Sequence, residues 1–323
     1  MGKVLITGVT GFIGSHLVRE LLNRGFDVYG TLRYVPHRNM RAIEDISDEI
    51  VLLNTDITDM LSVEHTFRAA DPDYIIHLAA LSPVRYSFEH PFQYTYTNYL
   101  GTMNVIHALI GMPDHKSRKL LVASTAEVYG LQKNEPFSEE LNLKPTSPYA
   151  VSKAAADMYT RMAAKVYDID GTVMRPTNSY GRKFQKGFII EYLINKMLRN
   201  ETVYIGAPDS IRDYIHVSDH VQAYLLAMEK NNAKGEAYNI GTGAGIMNKD
   251  LAEKISQICD FKGEIVLGTY PPNYPIRPIV SDQPYLVLDS KKITNELGWK
   301  QKVLFDEGLK KVVEYWKNRG NSD

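Results

Sequence analysis

Short apolar runs alternate with amphipathic stretches through the first half of the chain. Lys3–Thr7, Asp27–Leu32, 50–53, 74–78, 119–124 and 171–175 are mostly aliphatic or β-branched. Such runs read as parallel strands buried on both faces. Between them, 15–24, 59–70, 92–110 (carrying Asn98 and Gly101) and 149–167 have the helical period. Strand and helix taking turns in this way predicts an α/β fold, a Rossmann-type doubly wound parallel sheet covered on both sides. Past Arg175 the pattern loosens. Helices are expected at 187–200, 218–230, 248–259 and 305–318, with a proline-rich loop at 271–284. This predicts a sheet domain over 1–175 and a smaller C-terminal α/β lobe over 176–323, some of which is free to return to the first domain.

Composition narrows the function classes. The 323 residues carry 37 Lys+Arg against 38 Asp+Glu, a net charge of -1. That balance gives no reason to expect nucleic acid or a membrane surface as partner. The single cysteine, Cys259, rules out an intrachain disulfide and fits a reducing cytoplasm. The nine histidines are scattered without metal-ligand spacing, so no metal is expected. The chain opens on a strand rather than a signal peptide, and no apolar run approaches the ~18 residues of a membrane span. The expected location is cytoplasmic.

The first strand runs into Gly8-Val-Thr-Gly11-Phe-Ile-Gly14 and then a helix. In that context the glycines let the backbone approach a pyrophosphate at a helix N-terminus. The second strand ends in Leu32-Arg33, with His37 and Arg38 following, where a carboxylate would normally meet the ribose of NAD. A cation there suits a 2′-phosphate, so NADP is expected, with NAD as the alternative. Asp56, with Ile57 beside it, stands where a carboxylate can accept a hydrogen bond from an adenine amino group. Leu78, Ala79 and Ala80 end the fourth strand, and the small pair leaves room for a flat cofactor.

Two further stretches carry candidate chemistry. Val122-Ala-Ser-Thr-Ala-Glu-Val-Tyr-Gly130 delivers Thr125 and Glu127 at the end of a strand. Ser147-Pro-Tyr-Ala-Val-Ser-Lys153 places Tyr149 and Lys153 four apart, hence on one helix face. An ammonium near a phenol favours the phenolate, so Tyr149 is expected to ionise below its usual pKa of about 10. Taken alone, a Tyr-x-x-x-Lys pair is found on many solvated helix faces.

Taken together, the glycine turn, His77-Leu-Ala-Ala80, the Ser-Thr strand end, Tyr149-x-x-x-Lys153 and Arg212-Asp-Tyr-Ile-His-Val resemble the extended short-chain dehydrogenase/reductase superfamily over nearly the whole chain. Its members are mostly nucleotide-sugar epimerases, 4,6-dehydratases and reductases. The resemblance implies that Gly8, Gly11, Phe12, Ile13 and Gly14 cradle the pyrophosphate. It makes Tyr149 the base at the sugar 4-hydroxyl, with Lys153 lowering its pKa and holding the nicotinamide ribose. Thr125 and Ser82 are placed on the substrate, Asn178 beside the sugar diphosphate, and Arg212 and Arg277 as clamps on that diphosphate. It also implies a homodimer through a four-helix bundle built by 92–110 and 149–167, or a tetramer.

Glu127 discriminates among the subfamilies. In the 4,6-dehydratases a glutamate stands two residues past the threonine and takes the C5 proton once C4 is a ketone. Glucose-type dehydratases have Asp before that Glu; here it is Ala126, the pattern of GDP-mannose 4,6-dehydratases, which use NADP. The expected reaction therefore forms a 4-keto-6-deoxy sugar nucleotide. The acid that protonates the departing 6-hydroxyl is left open between Glu127 and a water. A 4-epimerase, an NADPH-dependent 4-keto-6-deoxy sugar reductase and a non-catalytic NADP-binding sensor are the alternatives.

Overall fold

The computed structural model describes residues 2–34, 40–133, 135–272, 274 and 278–319. Its first half runs β1 (Lys3–Thr7), α1 (Phe12–Asn23), β2 (Asp27–Leu32), β3 (Val51–Asn54), α2 (Met60–Ala70), β4 (Tyr74–His77), α3 (Pro91–Tyr94), α4 (Gly101–Ile110), β5 (Lys119–Ala123), α5 (Pro148–Val166) and β6 (Asp170–Pro176). The second half continues with β7 (Asn178–Tyr180), α6 (Ile189–Leu198), β8 (Val203–Ile205), β9 (Ile211–His216), α7 (Val217–Glu229) and β10 (Ala237–Ile240). It ends with β11 (Gly245–Met247), α8 (Asn248–Cys259), β12 (Ile265–Leu267), β13 (Tyr285–Leu286), α9 (Lys291–Leu297) and α10 (Phe305–Arg319).

Seven parallel strands form the main sheet in the order β10-β6-β5-β4-β1-β2-β3. Alternate side chains of β1 face opposite layers, as strand geometry requires. Val4 and Ile6 pack with Leu17 and Leu21 of α1 and with α7. Leu5 packs on the other side with Phe67 of α2, Ile106 and Leu109 of α4 and Ala163 of α5. The strand order reverses between β1 and β4, which opens a crevice at their carboxyl ends. A third core, built by α6, α8 and α10 around Leu193, Leu251 and Trp316, supports the C-terminal lobe.

The chain does not leave the sheet for good at Arg175. β10 comes back to pair with β6, and Tyr224 and Leu225 of α7 join the first core layer. β10 is only four residues long, too short for its period to declare it. The rod over 91–110 also departs from expectation. Thr95–Leu100 is wound as a π-helix, between α3 and α4. It carries the buried Asn98, whose amide oxygen accepts from the Leu81 N–H (2.8 Å) and whose amide donates to the Leu81 carbonyl (3.0 Å) and to Ser152 Oγ on α5 (3.0 Å).

One buried ion pair pins α5 to the sheet. Arg175 on β6 and Asp157 on α5 are 1% and 0% exposed and bond as a fork, at 2.8 and 2.9 Å. Arg175 also donates to the Tyr129 hydroxyl (2.9 Å), which in turn donates to Asn239 on β10 (2.7 Å). Removing one partner of such a pair strands a buried charge. Arg175→Met is therefore expected to cost about 3–5 kcal/mol, read from the midpoint of denaturant unfolding. The double variant Asp157→Leu/Arg175→Met is expected to recover much of that loss.

Candidate active site

The glycine turn is built for close approach. Gly8 has φ +76°, and a Cβ there would lie 3.0 Å from the Ala79 backbone. A Cβ on Gly14 would sit 2.5 Å from the Gly8 carbonyl. Thr7 Oγ1 accepts from the N–H groups of Leu78 and Ala79 (both 3.1 Å), which locks the ends of β1 and β4 together. α1 begins at Gly11 with no side-chain cap and no acidic residue in its first turn. Its first N–H groups thus point toward the crevice with a positive helix end behind them, which fits a pyrophosphate.

The outer end of the predicted cofactor site differs in detail. Arg33 lies exposed just past β2, while His37 and Arg38 lie outside the described residues. Asp56 Oδ1 is taken up by the Thr58 N–H (2.9 Å) and hydroxyl (2.7 Å). Ile57 is buried in the core, where its side chain packs where a Cβ on Gly101 would go, and its carbonyl accepts from Asn104 (2.9 Å). Its side chain is thus a wall of the core.

Two contiguous cavities follow. The first, about 410 Å³, is lined by Gly11, Phe12, Ile13, Leu78, Ala80, Ser124, Thr125, Tyr149 and Lys153. The second, about 470 Å³, is lined by Arg85, Tyr204, Gly206, Arg212, Tyr270, Tyr274 and Asp282. Ser82, Glu127 and Asn178 line both, so they stand at the junction. Glu127 thus faces the cavities and accepts a hydrogen bond on Oε2 from Gln283 Nε2 (3.0 Å). Asn178 donates to the Asp213 carbonyl (3.3 Å). Arg212 is not a bare cation: its Nη2 bonds Asp282 Oδ1 at 2.7 Å. Arg277 lies outside the described residues.

α5 delivers the tyrosine and lysine because Ser147 caps it, its Oγ accepting from the Ala150 N–H (3.1 Å), with Pro148 in the first turn. Burial pushes the Tyr149 phenol well above its usual value. The Thr125 hydroxyl, hydrogen-bonded to it, opposes that shift, and the charge of Glu127 adds to it. Lys153 is not among the groups that shift this phenol, in contrast to the expectation of a phenol drawn down by that ammonium. Desolvation is the largest influence on both groups and disfavours their charged forms.

Several contributors carry no sequence signal. His220 Nε2, the Tyr224 hydroxyl and the Ser124 hydroxyl are buried and lack hydrogen-bond partners, and all three residues line the first cavity. Burial, then Arg182, holds His220 down near 3, so its ring is neutral. Such unpaired polar atoms on a cavity wall suit a ligand with polar groups of its own. His220 and Tyr224 sit four apart on α7, a spacing that reads in sequence as ordinary core. Among the described residues no cluster of His, Cys, Asp or Glu could hold a metal, and no helix is long and apolar enough to cross a membrane.

Burial lowers Lys153 from 10.5 to about 8, with Asp157 opposing. Its folded value lies below the unfolded one, so the buried ammonium opposes folding fully below about pH 8, by roughly 3 kcal/mol, and the penalty fades toward pH 10.5. Lys153→Met is therefore expected to abolish turnover without lowering Tm at pH 7, as calorimetry beside an activity assay would show.

Residues 5–312 match the family model described as GDP-mannose 4,6 dehydratase. A putative UDP-glucose 4-epimerase of Methanocaldococcus jannaschii is 31% identical over 99% of this chain and 100% of its own length. The dTDP-glucose 4,6-dehydratase of Shigella flexneri is 32% identical over 97% of this chain and 92% of its own. The crystal structure of the dTDP-glucose 4,6-dehydratase of Streptomyces venezuelae with NAD bound superposes with a TM-score of 0.85 at 26% identity, covering 98% of this chain and 97% of that one. The chain belongs to the NAD-dependent nucleotide-sugar 4,6-dehydratase and 4-epimerase family of extended short-chain dehydrogenases/reductases.

Proposed function

We propose that the protein is a nucleotide-sugar 4,6-dehydratase forming a 4-keto-6-deoxy sugar nucleotide, with GDP-mannose as the substrate to test first. The observation that carries this reading is Glu127 at the junction of the two cavities, two residues past Thr125. The first cavity is read as the nicotinamide side and the second as the sugar-nucleotide side. Arg212 lies in the second; its Nη2 is held by Asp282 and its Nη1 donates to the Ile211 carbonyl (2.9 Å), which leaves the remaining N–H groups of its fork to a diphosphate. When bound, the nicotinamide cofactor would take the hydride from sugar C4 and give it back at C6, with a proton returning to C5, so that the product is a 4-keto-6-deoxy sugar and the cofactor is regenerated. NADP is proposed from Arg33 at the end of β2; NAD, which the Streptomyces enzyme carries, is the alternative.

The chain's own residues then divide the proton work. Tyr149 takes the proton of the 4-hydroxyl, steadied by the Thr125 hydroxyl. Ionising a phenol in that dry place calls for the ammonium of Lys153, which keeps its proton up to about pH 8. Glu127 removes the C5 proton, made acidic by the ketone at C4, and water leaves from C6. Ala126 is buried and has no proton to give, so the leaving hydroxyl is protonated by Glu127 itself or by a water.

Incubation with GDP-mannose, dTDP-glucose and UDP-glucose is expected to yield one product lighter by one water, read by mass. Glu127→Gln is expected to lose elimination by about 10²–10⁴-fold while still reducing the cofactor transiently. The 4-epimerase is the second reading, favoured by the Methanocaldococcus relative; its product keeps the substrate's mass.

The proposal includes a homodimer. Phe92 and Tyr96 are 78% and 58% exposed, and Val151 and Met158 on the neighbouring α5 are 53% and 55% exposed. Spacings of four and seven stack each pair along one stripe, so two copies can bury these side chains as a four-helix bundle. Met158→Glu is expected to shift the protein to monomer in light scattering.

A further inference from the structure

Three consecutive residues of the C-terminal lobe tie together the elements that carry the chemistry. The Ser281 carbonyl accepts from Thr146 Oγ1 at 3.2 Å, and Thr146 directly precedes the cap of α5. Asp282 Oδ1 accepts from Arg212 at 2.7 Å. Gln283 Nε2 donates to Glu127 Oε2 at 3.0 Å and lies 3.4 Å from the Glu127 carbonyl. Ser281 and Gln283 are buried, at 3% and 1% exposed.

We propose that Gln283 is a positioning residue for Glu127, orienting its carboxylate at the junction of the cavities. The proposal rests on the reading of Glu127 as the C5 base. Gln283 makes poor sense as packing alone. Its Oε1 is buried without a partner, so an apolar side chain of the same shape would fill the space with less desolvation cost. Its hydrogen bonding goes to Glu127. The amide can face only one way: turned over, its carbonyl oxygen would meet two oxygens of Glu127 with no proton between them. The same tripeptide holds Arg212 through Asp282, so the carboxylate, the arginine and the start of the tyrosine helix share one rigid reference.

The test uses the full chain loaded with its cofactor, and whichever nucleotide sugar the wild type dehydrates. Gln283→Met keeps the shape and removes the donor. It is expected to lower kcat for water loss at least about tenfold with KM within about twofold. Transient cofactor reduction, which reports C4 oxidation, keeps its wild-type rate. Gln283→Glu, also isosteric, puts an oxygen where the donor stood and is expected to lose at least as much of kcat with KM again within about twofold. If both variants eliminate water at the wild-type rate while Glu127→Gln is inactive, the positioning role is overturned and the base assignment stands. If Glu127→Gln still eliminates water, or the wild type never does, the underlying reading fails and this proposal falls with it.

Discussion

The guanidinium of Arg175 is the fixed point from which the site is measured. It sits on β6, grips Asp157 on α5, and reaches the Tyr129 hydroxyl beyond the strand end that carries Glu127. Asp157 lies one helical turn past Lys153, which lies one turn past Tyr149, so fixing Asp157 fixes the whole catalytic face. A buried ion pair seldom adds net stability over an apolar pair of equal volume. Its value here is geometric: five donors in a rigid plane can reference three elements and, through Tyr129 and Asn239, a fourth.

That arrangement shapes the electrostatics above it. Lys153 and Tyr149 are both stripped of water, and each is pushed toward its neutral form. Such a site resists ionisation until a ligand supplies compensating dipoles or charge. Glu127, half-buried at the junction, accepts from the Gln283 amide and is bordered by both cavities. The dry phenol and the half-buried carboxylate thus stand in unlike surroundings within one crevice.

The sequence exposed those features that depend on local pattern. The apolar runs of β1 and β5, the glycine turn and the four-residue spacing of Tyr149 and Lys153 each declare themselves within a dozen residues. What stayed hidden depends on distant packing. Gln283 meets Glu127 across 156 positions of chain, and Arg212 meets Asp282 across 70. Neither Gln283 nor Asp282 belongs to a periodic element that would mark it. The upward push on the Tyr149 phenol follows first from burial, to which the neighbouring Tyr94 adds with its ring centre 6.2 Å away, and no spacing rule conveys that. Asp56 and Ile57 likewise gave no sign in sequence that Thr58 takes up the carboxylate and that the aliphatic side chain packs in the core.

The wide turn at Thr95–Leu100 bears on how the gene can vary in length. A π turn carries one residue more than the α-helix it interrupts, so losing one codon there would let the rod close to plain α winding with Thr102 still facing His77 and Asn104 the Ile57 carbonyl. The cost would fall inside the turn, where Asn98 would be re-aimed away from Leu81 and Ser152. The extra residue thus acts as a local insertion whose effect stops at the Asn98 clasp.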